Sequence, residues 1–294
     1  LPSAKAKSDK TAVTPVSVLI LTKNEEQDLP GCLRSVNLSD DVHVFDSFST
    51  DATCNIAREF GAKVSQRKFD GYASQRNAAL SELEFRYEWL LIVDADERIP
   101  EVLWQEIKNF IDTAPARVSA ARIRRRDFFQ GQWLKHAQIS PWYIRLVRHR
   151  HARYEREINE VMKVDGEIAD LAEPFDHFPF SKGIRHWVDK HNVYSTMEAK
   201  VVFEGRRARP DFSITTALFG RDFNERREHQ KALFYRLPMR PMIKWLYMMF
   251  VRGAIWDGKA GIAYSNLQCM YEYMIVLKTR ELEHQAKHGP KSSV

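Results

Sequence analysis

The run WLLIVDADE (89–97) constrains this chain more than any other stretch. Five consecutive apolar residues lead into Asp94, Asp96 and Glu97. A strand apolar on both faces must be covered on both, as happens in an α/β sheet. Carboxylates ending such a strand are costly unless a partner offsets their desolvation. In an extended chain, residues two apart point the same way. Two convergent carboxylates suit a hard divalent cation such as Mg²⁺, which also takes phosphate oxygens and water. Helix capping ahead of Pro100 is the plainer alternative, and a bare D-x-D pattern also arises by chance.

The rest of the first third repeats this logic. VSVLILT (16–22) is a strand-length apolar run, and Leu29, Cys32, Leu33 and Val36 follow at helical spacing within 25–36. VHVFD (42–46) and KVSQR (63–67) read as further strands. Ser49 or Thr50 is expected to cap a helix that runs to Phe60 and stops at Gly61. Helices are predicted over 73–83 and from Pro100 to about Asp112. Strands alternating with helices predict an α/β fold, a mostly parallel sheet with helices on both faces. Ligands on such sheets bind beyond the carboxyl ends of the strands, where TKNE, DSFSTD and DADE fall.

With 294 residues, 44% of them hydrophobic and 29% charged, the chain reads as one large α/β domain or as a catalytic domain plus an accessory part. Disordered, collagen-like and polytopic membrane classes are excluded. The net charge of +6 fits an anionic partner without choosing one. Cys32, Cys54 and Cys269 are too scattered for a disulfide framework or zinc site, so a reducing compartment is expected. No signal-peptide pattern is visible, and residues 1–14 read as a disordered basic tail. Between Arg117 and Arg156 there are eleven Arg or Lys against two acids. From about Gly183 the pattern is helical to the end. Within 238–256 the longest apolar run is Trp245–Val251, far short of the roughly 20 residues a spanning helix needs. Flanked by Lys244 and Arg252 and rich in aromatics, it reads either as a packing helix or as one lying in a bilayer interface. Residues 260–280 predict another amphipathic helix, and 281–294 a fraying end.

Two further residues stand out on physical grounds. Asp46 ends the second strand, aimed at the ligand crevice. Arg76 opens a helix, where a cation is unfavourable unless it meets an anion.

The set VSVLILTKNEE, VFDSFSTDAT, FDGYASQRNAAL and WLLIVDADER resembles family 2 glycosyltransferases of the GT-A fold. The resemblance is greatest to the subgroup of lipopolysaccharide-core β-1,4-glucosyltransferases, and it continues through FFQGQWLKH, YIRLVRH, INEVMKVDG and DHFPF into IWDGKAGIAYSNLQCMYEYMIVLK. It implies a GT-A catalytic domain over 15–182, with a nucleotide-sugar half (15–112) and an acceptor half (113–182), and a helical C-terminal region over 183–294. It implies that Thr22, Asn24 and Glu25 line the nucleoside pocket, that Asp46 bonds the base or ribose, and that Arg76 lies close to the nucleotide. Asp94 would face the ribose or sugar, and Asp96 would ligate Mg²⁺ or Mn²⁺ on the diphosphate, with Asp94 and His177 as further metal-site candidates. Where the subgroup has a His-Glu pair, this chain has Asn159-Glu160, which leaves Glu160 as candidate base and Glu157 as its competitor. An inverting transfer needs one carboxylate to deprotonate the acceptor hydroxyl and positive charge to stabilise the departing diphosphate. Arg145 and Arg148 either add to that charge or form a basic solvated face; Trp133, Lys135 and His136 either shape the acceptor side or pack.

The implied partners are a UDP-sugar donor and a glycan or lipid-linked acceptor, glucose being the favoured sugar. Peripheral contact with the cytoplasmic face of a bacterial plasma membrane is expected, with self-association left open and no nucleic acid. The rivals are another donor sugar (N-acetylglucosamine, galactose or a deoxysugar), a nucleotidyltransferase and a nucleic-acid-binding module. TKNEEQDLPG lacks the glycine-rich phosphate loop of the second, and the third leaves Asp94 and Asp96 unexplained.

Overall fold

The computed structural model describes residues 13–155, 161–208, 213–215, 229–230, 233–237 and 239–289. The chain divides into two compact units, Leu1–Phe128 with Ser140–Ser181, and Phe129–Ile139 with Lys182–Val294. Residues 129–139, inside the stretch assigned from sequence to the acceptor half, thus pack with the second unit.

In the first unit β1 (Ser17–Thr22), β2 (Val42–Asp46), β3 (Lys63–Gln66) and β4 (Trp89–Asp94) form a parallel array in the order β3-β2-β1-β4. Alternation along the strands fills two cores. Val18, Ile20, Leu91 and Val93 face α1 (Leu29–Ser35), α2 (Thr53–Glu59) and α4 (Glu101–Thr113), while Leu19, Leu90 and Ile92 face α3 (Tyr72–Glu82). Helices on both faces explain why β1 and β4 carry almost no polar residue. Helix α1 starts later than the sequence spacing suggests because Pro30 sets its first turn. The expected cap on α2 is also different. Ser49 bonds Asp46 and Thr50 donates to Asn24, so the helix begins at Thr53.

Beyond β4 the sheet becomes mixed. β4 stops at Asp94, and residues 95–96 turn into the two-residue strand β5 (Glu97–Arg98). β6 (Val118–Phe129) and β8 (Trp142–Arg148) follow, with β7 (Gln132–Trp133) between them in sequence. β8 runs antiparallel to both β4 and β6. β9 (Ala152–Glu155) and β10 (Val161–Val164) make a separate hairpin-like pair, and β11 (Glu167–Asp170) lies parallel to β6. β12 (Phe175–His177) fits between β6 and β5, placing His177 opposite Asp127 on one side and Glu97 on the other.

The arginine-rich stretch has a structural explanation. Arg122 bonds Asp170, Arg126 bonds Asp176, Arg153 bonds Asp165, and Arg148 pairs with Glu88 while lying over Trp89. Arg148 therefore ties β8 to the start of β4. The N-terminal stretch 1–14 also needs revision at its end. Thr14 is buried and donates its backbone N–H to Leu38, while 1–12 lie outside the described residues.

Asp41 is buried between β1 and β2 and accepts from Ser17 Oγ (2.6 Å), Lys63 Nζ (2.7 Å) and the Arg86 N–H (2.8 Å), with His43 Nε2 at 3.0 Å. Burial opposes ionisation of Asp41, but these bonds outweigh it and hold its carboxyl well below the usual range. Burial holds His43 below its ordinary value despite Asp41. A buried base with a lowered pKa makes the unfolded chain bind more protons, so stability falls as pH drops below the unfolded pKa of about 6.5. The His43 contribution is therefore expected to weaken between about pH 7 and pH 5, read as the change in the difference between the urea midpoints of the parent and of a His43→Phe variant. A difference that stays constant across that window would exclude His43 as a contributor.

The second unit is built on α5 (Gly183–Ala208), α6 (Arg240–Leu246) and α7 (Gly258–His288). α7 takes in the predicted 260–280 helix and continues through 281–288, where fraying was expected. Lys287 and His288 in the last turn suit the helix dipole, and Gly289 adopts a left-handed φ of 76°. Arg240 and Glu272 form a buried ion pair that ties α6 to α7. The 238–256 stretch is not one helix. α6 gives way to a π-helical turn (Tyr247–Val251), then Gly253 and a 3₁₀ turn (Ala254–Asp257). Among the described residues no helix is long and apolar enough to cross a membrane.

Candidate active site

The carboxyl ends of β1, β2 and β4 converge as the alternation predicts. Asp46 is fully buried at the end of β2. It accepts from Thr22 Oγ1 (2.8 Å), from the Ser49 N–H (2.8 Å) and from Gln66 Nε2 (3.0 Å). Burial would raise its pKa, but these donors outweigh burial and keep it a carboxylate. Asn24 holds a left-handed φ of 55°, uncommon for a side chain with a Cβ. Its amide oxygen accepts the Thr50 N–H at 2.9 Å, and its own N–H donates to Ser49 Oγ at 2.7 Å. The Glu25 N–H donates to Thr53 Oγ1 at 2.8 Å. Thr22, Asn24 and Asp46 thus share one bonded network through Ser49, with Glu25 bonded beside it to Thr53.

Asp94 and Asp96 engage different side chains, and β4 stops at Asp94 before a turn over 95–96. Asp94 Oδ1 lies 3.3 Å from Arg76 and Oδ2 lies 2.8 Å from Arg145. Arg76 meets its expected anion in this carboxylate, and it also lies over the Tyr154 ring. Arg145 is buried and also bonds Glu97, whose other oxygen accepts the Asp94 N–H at 3.0 Å. Burial would lift Asp94, but Arg145 and Arg76 hold it well below the usual carboxylate range. Burial pushes Glu97 up to about 7, with Asp94 adding to the shift and Arg145 opposing it. Burial disfavours the charge on Arg145, and the two carboxylates restore it.

Asp96 belongs to a second cluster. Its Oδ2 is 3.2 Å from His177 Nε2, and His177 Nδ1 is 2.5 Å from Asp127 Oδ1. Asp127 is itself paired with Arg125 at 3.0 Å. Burial works against protonating His177, but the bonds to Asp127 and Asp96 outweigh it and lift the imidazole to about 9. Arg98 fixes the turn that carries Asp96, donating to the Ala95, Glu97 and Asp28 carbonyls. A Cβ at Gly31 would overlap the Arg98 guanidinium, so a larger residue there would have to displace that side-chain end.

Among the described residues no three His, Cys, Asp or Glu side chains form a ready metal cage. The donor set nevertheless fits a partly hydrated hard cation. Asp96, a third exposed, and His177 Nε2 face each other, and a carboxylate orients the other histidine nitrogen, as behind metal-bound imidazoles; a cation bound there would displace the Nε2 proton. Both oxygens of Asp94 already serve guanidiniums, which places it apart from that pair.

Sequence reasoning missed Glu97, Asp127 and Tyr154. Glu97 was visible as the last acid of DADE. Asp127 is the one acid of ARIRRRDFF, and only the β6–β12 register reveals its histidine. Glu157 and Glu160 lie outside the described residues. The flanking residues Glu155 and Val161 pair directly, next to Tyr154. In the second unit His136 Nδ1 sits 2.7 Å from Asp257, and Lys135 lies over Trp133.

Comparison with known proteins supplies the class. The sequence profile described as "Glycosyl transferase family 2" matches residues 17–169, just over half the chain. An uncharacterized glycosyltransferase of Rickettsia typhi is 31% identical over 69% of this chain and 73% of its own length. The lipopolysaccharide core biosynthesis glycosyltransferase LpsC of Rhizobium meliloti is 24% identical over 94% of this chain and 95% of its own. The crystal structure of S. aureus TarS 1-349 aligns over 95% of this chain and 93% of its own, at 17% identity and a TM-score of 0.41.

Proposed function

The chain belongs to glycosyl transferase family 2, and from that premise we propose an inverting, metal-dependent transfer of a sugar from a UDP-sugar to a glycan or lipid-linked acceptor in lipopolysaccharide or related surface-polysaccharide synthesis. As a member of the family the chain is a glycosyltransferase. The observation that carries the finer reading is that Asp46 ends β2 while Asp94 and Asp96 lie at and just past the end of β4, on either side of Thr22 at the end of β1, each aspartate held in a different environment. In this reading Asp46, with Thr22, Asn24 and Glu25, holds the nucleoside through its polar edge. Asp94, kept anionic by Arg76 and Arg145, accepts hydroxyls of the ribose or sugar. Asp96 and His177 would hold Mg²⁺ or Mn²⁺ at the diphosphate. The bound cation supplies positive charge where the leaving diphosphate gains negative charge.

The chain's own contribution is positioning and proton removal. The acceptor oxygen bonds to the anomeric carbon as the bond to the diphosphate breaks, the acceptor proton passes to a carboxylate, and UDP leaves. The resemblance assigns that carboxylate to Glu160, with Glu157 as its competitor. Glu160→Gln is expected to lower turnover about 10²- to 10⁴-fold and leave UDP affinity unchanged. If Glu157→Gln is the inactive variant instead, the base is reassigned.

Asp127 orients His177 from behind. Asp127→Asn is expected to weaken Mn²⁺ binding about 10- to 100-fold in a titration with UDP present. Unchanged affinity would remove His177 from the metal site.

The donor is tested by UDP release from UDP-glucose, UDP-N-acetylglucosamine and UDP-galactose, each with Mn²⁺ and with chelator. Metal-dependent release from UDP-glucose is expected to dominate. A preference for another sugar would keep the site and change the donor. We also propose peripheral association with the inner face of the plasma membrane, where a lipid-linked acceptor would be presented.

A further inference from the structure

We propose that the Leu246–Trp256 turn of the second unit docks on a lipid surface carrying anionic headgroups. The proposal deepens the membrane placement above and names the surface responsible. The turn faces outward with apolar side chains where a water-exposed turn would be polar. Phe250 is 66% exposed, Val251 73% and Trp256 80%, and Leu246, Tyr247 and Ile255 are exposed beside them in sequence. Single exposed apolar residues are ordinary, but a contiguous set marks a binding surface.

The turn is held in shape. Met248 and Met249 are buried beneath it. Gly253 takes a left-handed φ of 75°, and a Cβ there would meet the Trp256 ring at 2.9 Å. Asp257 closes the turn by accepting the N–H groups of His136 (2.8 Å) and Ala137 (2.7 Å) as well as bonding the His136 ring. The fold therefore presents these side chains outward in a fixed arrangement.

Charge selects the occupant. Between Met239 and Lys259 the sole acid is Asp257, which is buried on His136. Arg252 and Lys259 flank the apolar residues. Aromatic rings with cations around an apolar tip match the boundary between headgroups and acyl chains. With no crossing helix among the described residues, this contact would be confined to one leaflet.

The test is co-sedimentation of the full chain with vesicles of phosphatidylcholine alone and of equal parts phosphatidylcholine and phosphatidylglycerol. Binding to the mixed vesicles is expected, with weaker binding to phosphatidylcholine and a loss at about 1 M salt. Phe250→Ser combined with Trp256→Ser should lower partitioning at least about tenfold. Arg252→Glu with Lys259→Glu should abolish the preference for the anionic vesicles. Thermal unfolding and circular dichroism matching the parent report an intact fold for each variant, and Trp256→Ser alone serves if the double variant does not fold. Wild-type-like partitioning of the serine variants would overturn the surface assignment. Wild-type chain ignoring both vesicles would overturn the membrane placement itself. A dimer that dissociates in the serine variant, without vesicle binding, would reassign the turn as a contact between copies.

Discussion

Asp96→Ala should lower metal-dependent turnover by roughly two to three orders of magnitude while leaving the fold intact. The geometry separates these two consequences. Asp96 sits in a turn past β4, a third exposed, and contributes little burial. Its partner His177 keeps Asp127 when Asp96 is removed, so no buried charge is stranded. Thermal unfolding should therefore stay within a few degrees of the parent. What is lost is the carboxylate that faces His177 Nε2. Residual turnover should no longer respond to Mn²⁺. Full, metal-responsive activity in Asp96→Ala would refute the metal assignment.

Arg145→Met should have the opposite profile, a large loss of stability. Arg145 is buried and serves two carboxylates, Asp94 and Glu97. Without it both face each other in a poorly solvated pocket, and stranding a buried charge costs about 3–5 kcal/mol. For a unit of this size that corresponds to a melting shift of about 10 °C. The sign of its pH dependence follows from Glu97, already raised to about 7 with Arg145 present. Losing the guanidinium raises it further. An acid whose folded pKa lies above its unfolded value binds more protons when folded, so stability falls as pH rises through that window. The variant should lie closest to the parent near pH 5 and furthest from it near pH 8. Urea midpoints that track the parent at both pH values would show that Arg145 does not hold this pair.

Much of the first unit was legible because its determinants are local. β1, β2 and β4 are apolar runs of strand length, and α3 and α4 carry clear stops and starts. The polar clusters at three strand ends followed from topology alone. Legibility failed where a tertiary partner overrides the local signal. The extended spacing of Asp94 and Asp96 suggested one shared ligand, but the turn at Ala95 gives them separate partners. Ser49 looks like a helix cap in isolation, yet Asp46 is the stronger acceptor for it. Asp127 carries no signal in sequence, since its role depends on β12 lying beside β6 some 50 residues later. Arg145 could be seen as a cation near the site, but not as the counter-ion of Glu97. The break after α6 was hidden for a similar reason, because the apolar run there divides between buried methionines and exposed aromatics.

The site formed by Asp46, Asp94 and Asp96 should bind a uridine diphosphate moiety together with a divalent cation. Titration calorimetry of UDP into the full chain, with Mn²⁺ and with chelator, reads this out. Saturable binding that requires Mn²⁺ and is lost in Asp96→Ala is expected. Equal binding with chelator, or preference for another nucleoside diphosphate over UDP, would refute the assignment of this site.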